Sequence, residues 1–230
     1  MAVHSLKDVP AVLPDGFHLS VVGSRGDVRD ALVGAKDLLA LPQTARIGTS
    51  STRRAAQLLR HNRQLDIVTV RGNVQTRLRK LDDGSVDALI LASAGLDRLG
   101  LSARIGSRLD TRLCLPAAAQ GALAAEYRSD RSDVAASLAA ISDDETRICV
   151  TAERDVVAGV AGDCTMPIGA HCAREGDAYQ LEAALFSPSD RCLRVRLRGT
   201  EASKLGSEAA KRLVDLGAAE IIEQSRTLSG

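Results

Sequence analysis

Residues 44–92 alternate short apolar or β-branched runs with helical patterns: ARIGTS, then STRRAAQLLRHN, LDIVTV, NVQTRLRKLDDG and VDALILAS. No other stretch restricts the fold as much. A period of two giving way to a helical period, twice over, predicts repeated βα units in an α/β layer structure with parallel strands. Asn73 stands as the N-cap of the second helix and Gly84 as its stop. In LCLPAAAQGALAAEYR, Pro116 is placed to break a strand and open an Ala-rich helix.

The tail reads differently. Residues 142–161 form the longest helical pattern, with Ser142 and Glu145 at capping-box spacing. IGAHCA, AYQLEAALF and CLRVRLRGT then read as three strands, and SEAAKRLVDLGAAEIIEQS as a terminal helix. This part is α+β, and no internal repeat or low-complexity tract interrupts it.

With 45% hydrophobic and 26% charged residues among 230, the chain has material for one large core or two to three small ones. Thirty Lys+Arg against 29 Asp+Glu leave a net charge of +1, so no bulk field holds duplex nucleic acid or an anionic membrane. Aromatic content of 2% without Trp argues against stacking platforms for single strands. No apolar run reaches the roughly 18 residues of a membrane span, and MAVHSLKDVP lacks the apolar stretch of a signal peptide, so the expected location is cytoplasmic. Five cysteines (114, 149, 164, 172, 192) without a CxxC pair predict free thiols.

Three segments carry candidate chemistry. In Ser50-Ser51-Thr52-Arg53-Arg54, two cations stand where a strand hands over to a helix and oppose the helix dipole, which suggests an anion beside them; ion pairs to nearby Asp or Glu explain them as well. Arg71-Gly72-Asn73-Val74-Gln75-Thr76-Arg77 repeats the strand-to-helix position one unit later, with Gly72 allowing a tight turn. Two such turns imply a polyanion, although no GxxxxGK[ST] phosphate loop is present. Gly162-Asp163-Cys164-Thr165-Met166-Pro167 puts a thiol in a turn after a long helix, where it is either an accessible group or a small core residue. A zinc site from Cys164, His171 and Cys172 lacks the close cysteine pair that structural zinc uses, and no metal is expected.

Taken in order, VHSLKDVP, GTSSTRR, RGNVQTRL, AAQGALAAE and GDCTMPIGA resemble the porphobilinogen deaminase (hydroxymethylbilane synthase) family over essentially the whole chain. The resemblance implies a transferase that joins four porphobilinogen units head to tail with loss of ammonia, on a dipyrromethane cofactor held by a thioether to Cys164. It implies Asp8 as the catalytic carboxylate. Lys7, Ser51, Arg53, Arg54, Arg71 and Thr76 are implied around the cofactor, and Arg71, Arg77 and Arg98 on substrate carboxylates. An ionised Asp suits this chemistry, because loss of ammonia leaves a cationic pyrrole that a fixed charge stabilises.

The implied fold is two α/β domains like type II periplasmic binding proteins, with the active cleft between them, and a small C-terminal α+β domain. Residues 1–24 and 117–140 fall to the first domain, 28–115 to the second and 142–230 to the third, with a hinge strand in Val22–Asp27. Position 1 falls inside what the family makes a central strand, so the first domain is expected to be incomplete, with exposed strand edges. A monomer is expected. The rival reading is a two-lobed anion-binding module or an inactive remnant, for which Asp8 and Cys164 have no use.

Overall fold

β1 (Ala2–Ser5), a 3-10 turn at Leu6–Asp8 and β2 (Phe17–Val22) open the chain in the computed structural model, which describes residues 1–160, 166–187 and 191–227. The chain forms two units, Asp27–Pro116 and the combination of Met1–Gly26 with Ala117–Gly230.

The Asp27–Pro116 unit contains β3 (Asp30–Val33), β4 (Arg46–Gly48), α1 (Thr52–His61), β5 (Asp66–Val68), α2 (Val74–Asp82), β6 (Ala88–Ala92), α3 (Ser93–Arg98) and β7 (Ile105–Arg108). Its five-stranded sheet has the order β5-β4-β6-β3-β7. β5, β4 and β6 run parallel, as the alternation of residues 44–92 predicts, whereas β3, outside that stretch, is antiparallel to both β6 and β7. β3 is buried along its whole length because both sheet faces are covered. Leu32, Ile47 and Ile90 meet Leu58 of α1 on one face, while Ala31, Val33, Leu89 and Leu91 meet Leu78 of α2 and Leu96 of α3 on the other.

In the other unit β8 (Leu123–Arg128) lies between β1 and β2, antiparallel to each. Here the expected Ala-rich helix after Pro116 does not form. Residues 117–121 make a turn with Ala119 at φ 60°, and Ala124 and Ala125 beyond it are strand. Ala124 and Ala125 are buried on opposite faces of β8, the second under α4 (Ser132–Ala139) through Leu138. Packing on both faces of this central strand selects small side chains there, and pairing with β1 and β2 overrides the helix propensity of alanine.

α5 (Asp144–Val160), α6 (Ala202–Asp215) and α7 (Ala218–Thr227) cover the antiparallel sheet β11-β10-β9, formed by β9 (Ile168–Glu175), β10 (Ala178–Phe186) and β11 (Cys192–Gly199). α5 starts later than its expected capping box. Asp143, not Ser142, accepts the Thr146 N–H at 2.7 Å, and Ser142 instead bridges to Gly23. The terminal helix is two helices, broken at Gly217, whose φ of 97° suits glycine and stops the first.

Candidate active site

Leu6 and Val9 are buried in the core beneath β1, β2 and β8, and the single turn between them leaves Asp8 exposed. The Leu6 N–H donates to Ala122 O at 3.0 Å and the Val9 N–H to Leu6 O at 3.2 Å, so the carboxylate rides on a turn anchored at both ends. Asp8 has no partner among the described residues. Lys7 beside it donates through Nζ to Oε1 of buried Gln120 at 3.3 Å. Arg154 of α5 fastens the exit of the turn, donating to Val9 O, Pro10 O and Ala11 O at 3.1, 2.7 and 3.1 Å.

Behind the turn is a cavity of about 50 Å³ lined by Leu6, Lys7, Val9, Arg154, Met166 and Ile168 among others. Cys164 lies outside the described residues. The described chain resumes at Met166, on the wall of that cavity. Cys114, Cys149, Cys172 and Cys192 are free thiols.

In the Asp27–Pro116 unit the order β5-β4-β6 brings the turns after three adjacent parallel strands to one edge of the sheet, where ligands of open α/β sheets bind. After β4 come Ser51 in the connection and Arg53 and Arg54 at the start of α1, after β5 come Arg71 in the connection and Thr76 and Arg77 at the start of α2, and α3 after β6 ends in Arg98. Ser51 is the N-cap of α1 and accepts the Arg54 N–H at 3.4 Å. Asn73 caps α2 as expected, accepting the Thr76 N–H at 2.8 Å. Gly72 has φ 116°, and a Cβ there would come within 2.9 Å of the Thr76 side chain, so the turn requires glycine.

The arginines divide into two kinds. Arg71 is exposed with no partner among the described residues, Arg77 donates through Nε to Gly72 O at 2.7 Å, and Arg98 is exposed at the end of α3. Arg53 and Arg54 are buried, and the anion that two cations at a helix start require is supplied by the chain itself. Asp30, fully buried on β3, accepts Arg53 Nη2 at 2.9 Å and Arg54 Nη2 and Nε at 2.7 and 3.0 Å. The other ends of the two guanidiniums donate to Leu115 O and Ile90 O at 2.5 and 3.1 Å. Gln57, one turn further along α1, clamps Leu115: its carbonyl accepts the Leu115 N–H at 2.7 Å and its amide donates to Leu115 O at 3.0 Å.

Two guanidiniums sharing one carboxylate leave one positive charge over, in a cluster whose arginine side chains are only 5 and 6% exposed. A buried cluster with a surplus positive charge fits an anionic group such as a ligand carboxylate. Cys114 completes the cluster, its thiol donating to Asp30 Oδ2 at 3.3 Å; burial, with the charge of Asp30, pushes that thiol up to about 12.

Asp30, Gln120, Glu153, Arg154 and Arg25 carry no local sequence signal, and each acts across the fold. Glu153 is fully buried and takes four hydrogen bonds: Arg25 Nη1 and Nη2 at 2.7 and 2.8 Å, the Ala119 N–H at 2.6 Å and the Cys172 N–H at 2.7 Å.

Residues 1–136 match the family described as "Porphobilinogen deaminase, dipyromethane cofactor binding domain", and residues 147–215 match "Porphobilinogen deaminase, C-terminal domain". The chain is 46% identical over 229 residues to the porphobilinogen deaminase of Acidithiobacillus ferrooxidans, covering 98% of this chain and 75% of that one. It is 46% identical over 227 residues to that of Chromobacterium violaceum, covering 96% and 74%. Against that of Streptococcus sanguinis it is 44% identical over 224 residues, covering 95% and 73%. No described helix is long and apolar enough to cross a membrane.

Proposed function

Because the chain belongs to the porphobilinogen deaminase family, transferases of tetrapyrrole biosynthesis, we propose that Asp8 is its catalytic carboxylate and Cys164 the covalent anchor of its dipyrromethane. Four porphobilinogen units are joined head to tail, with loss of ammonia at each step. When bound, the cofactor supplies the pyrrole end to which the first unit is joined.

Asp8 accepts pyrrole N–H hydrogen bonds and stabilises the cation that the departing ammonia leaves on the substrate. A fixed charge does this without reorganising at the moment of reaction. Lys7 and the buried pair Arg53 and Arg54 meet cofactor carboxylates, with Ser51 and Thr76 holding the turns on which the arginines stand. Arg71, Arg77 and Arg98 take the acetate and propionate groups of the substrate, and Arg71 meets the cofactor as well. Bidentate guanidinium pairing suits these groups because it sets orientation as well as charge.

We assign residues 1–24 and 117–140 to the first domain, 28–115 to the second and 142–230 to the third. The enzyme is read as monomeric and cytoplasmic, without a nucleic-acid partner. The near-zero net charge and the scarcity of aromatics support that last point.

The observation that carries the reading is Asp8 itself, an exposed carboxylate without a partner among the described residues, on a turn pinned by buried Leu6 and Val9. Asp8→Asn keeps the shape and one acceptor oxygen, so it should keep the cofactor mass on the protein while losing about 10²–10³ in turnover. Cys164→Ser should carry no added mass. Near-normal turnover by Asp8→Asn, or a cofactor mapped to another cysteine, would overturn the assignment.

A further inference from the structure

We propose that Asp30 is a positioning residue for cofactor capture, holding Arg53 and Arg54 so that their leftover charge meets one ligand carboxylate. This rests on the reading of those two arginines as cofactor-binding residues. The geometry supports it independently of any local motif. Adjacent guanidiniums on one helical turn repel, and burial strengthens that repulsion. Asp30 separates them: Oδ1 takes Nε and Nη2 of Arg54, while Oδ2 takes Nη2 of Arg53 and the Cys114 thiol.

The far sides are fixed too, Arg54 on Ile90 O of β6 and Arg53 on Leu115 O, which Gln57 holds in turn. Each guanidinium is therefore fixed at both ends, and Asp30 is the part the two share. One carboxylate among two cations also sets the ligand class. The cluster takes a single negative charge, and a second buried anion would leave it negative.

Asp30→Asn in the full chain removes the charge and turns one acceptor into a donor that faces a guanidinium. Purified from a host that makes porphobilinogen, the variant should show native far-ultraviolet circular dichroism while the fraction carrying the cofactor mass falls at least tenfold. The Cys114 thiol, left with two cations and no carboxylate beside it, should ionise at lower pH, read by thiolate absorbance in a chain whose other cysteines are intact.

Where Asp30→Asn does not fold, the double variant Asp30→Asn with Cys114→Asp returns a carboxylate to the same cluster at a shifted point. It should fold and still load poorly, because charge balance is restored and geometry is not. Loading at the parental level by either folded variant would overturn the inference, since Asp30 would then be a counter-charge only. Arg53→Ala and Arg54→Ala separate the two levels. If they lose the cofactor while Asp30 variants keep it, only the positioning role falls; if they load normally, the reading of the arginines fails and the positioning role with it.

Discussion

Replacing Glu153 by Gln should destabilise the fold by several kcal/mol despite the near-identical shape, and the structure sets the size of the effect. The carboxylate is fully buried and takes two charge-assisted bonds from Arg25 and two backbone N–H groups from separate segments, Ala119 and Cys172. Gln keeps one acceptor oxygen and turns the other into a donor facing donors. Arg25, 11% exposed, is left without its counterion. Removing one member of a buried pair costs about 3–5 kcal/mol. With a urea dependence of about 3 kcal/mol/M, the midpoint of unfolding should fall by about 1–2 M. Adding Arg25→Met to Glu153→Gln removes the charge that the first change left unpaired, so it should cost less there than in the parent, a coupling that a double-mutant cycle measures. A loss under about 1 kcal/mol in Glu153→Gln, or strict additivity in the cycle, would refute this account of the pair.

Asp97 is held at about 2 by hydrogen bonds from Arg108 and Ser102, below its ordinary 3.8. Its contribution to stability is therefore present above about pH 4 and lost as pH falls towards 2. Thermal unfolding of the parent and Arg108→Met should accordingly converge over that range and differ most near neutrality; a pH-independent gap would contradict the pairing. Ala119 adopts φ 60°, a conformation that costs an L-residue about 1 kcal/mol and glycine little. Ala119→Gly should be neutral to stabilising by up to about 1 kcal/mol in urea unfolding, and clear destabilisation would show that the Ala side chain matters more than the backbone strain.

What the sequence made legible is local in origin. The strand-helix alternation of residues 44–92 survives as β4, α1, β5, α2 and β6, with Asn73 capping α2, because hydrophobic period and cap chemistry act within a few residues. The alanines after Pro116 misled for the opposite reason: the strand state of Ala124 and Ala125 is imposed by β1 and β2 pairing on either side. The order β5-β4-β6 with antiparallel β3 and β7 is likewise a property of the assembled sheet. Among site residues, the motif segments pointed to Asp8 and the arginine turns, but they could not distinguish exposed Arg71 from buried Arg53 and Arg54. The partner that makes the difference, Asp30, lies 23 residues before Arg53. Arg25 and Glu153 are 128 residues apart, with Gln120 bound between them to the Arg25 Nε through its carbonyl.

The contrast between the two buried ion clusters bears on function. Around Glu153, one guanidinium meets one carboxylate, the remaining acceptor sites go to backbone N–H groups, and the charge closes at zero. A cluster balanced in this way has nothing left to offer a ligand and serves to tie α5 to the 117–121 turn and to β9. Around Asp30 the count is two against one, and the surplus is cationic. An unbalanced buried charge is costly unless something meets it, and in the role proposed for Arg53 and Arg54 a cofactor carboxylate meets it on binding. Of the two, only the second is built to be completed from outside, and it stands at the start of α1, beside the exposed turn of Arg71, where the parallel strands end.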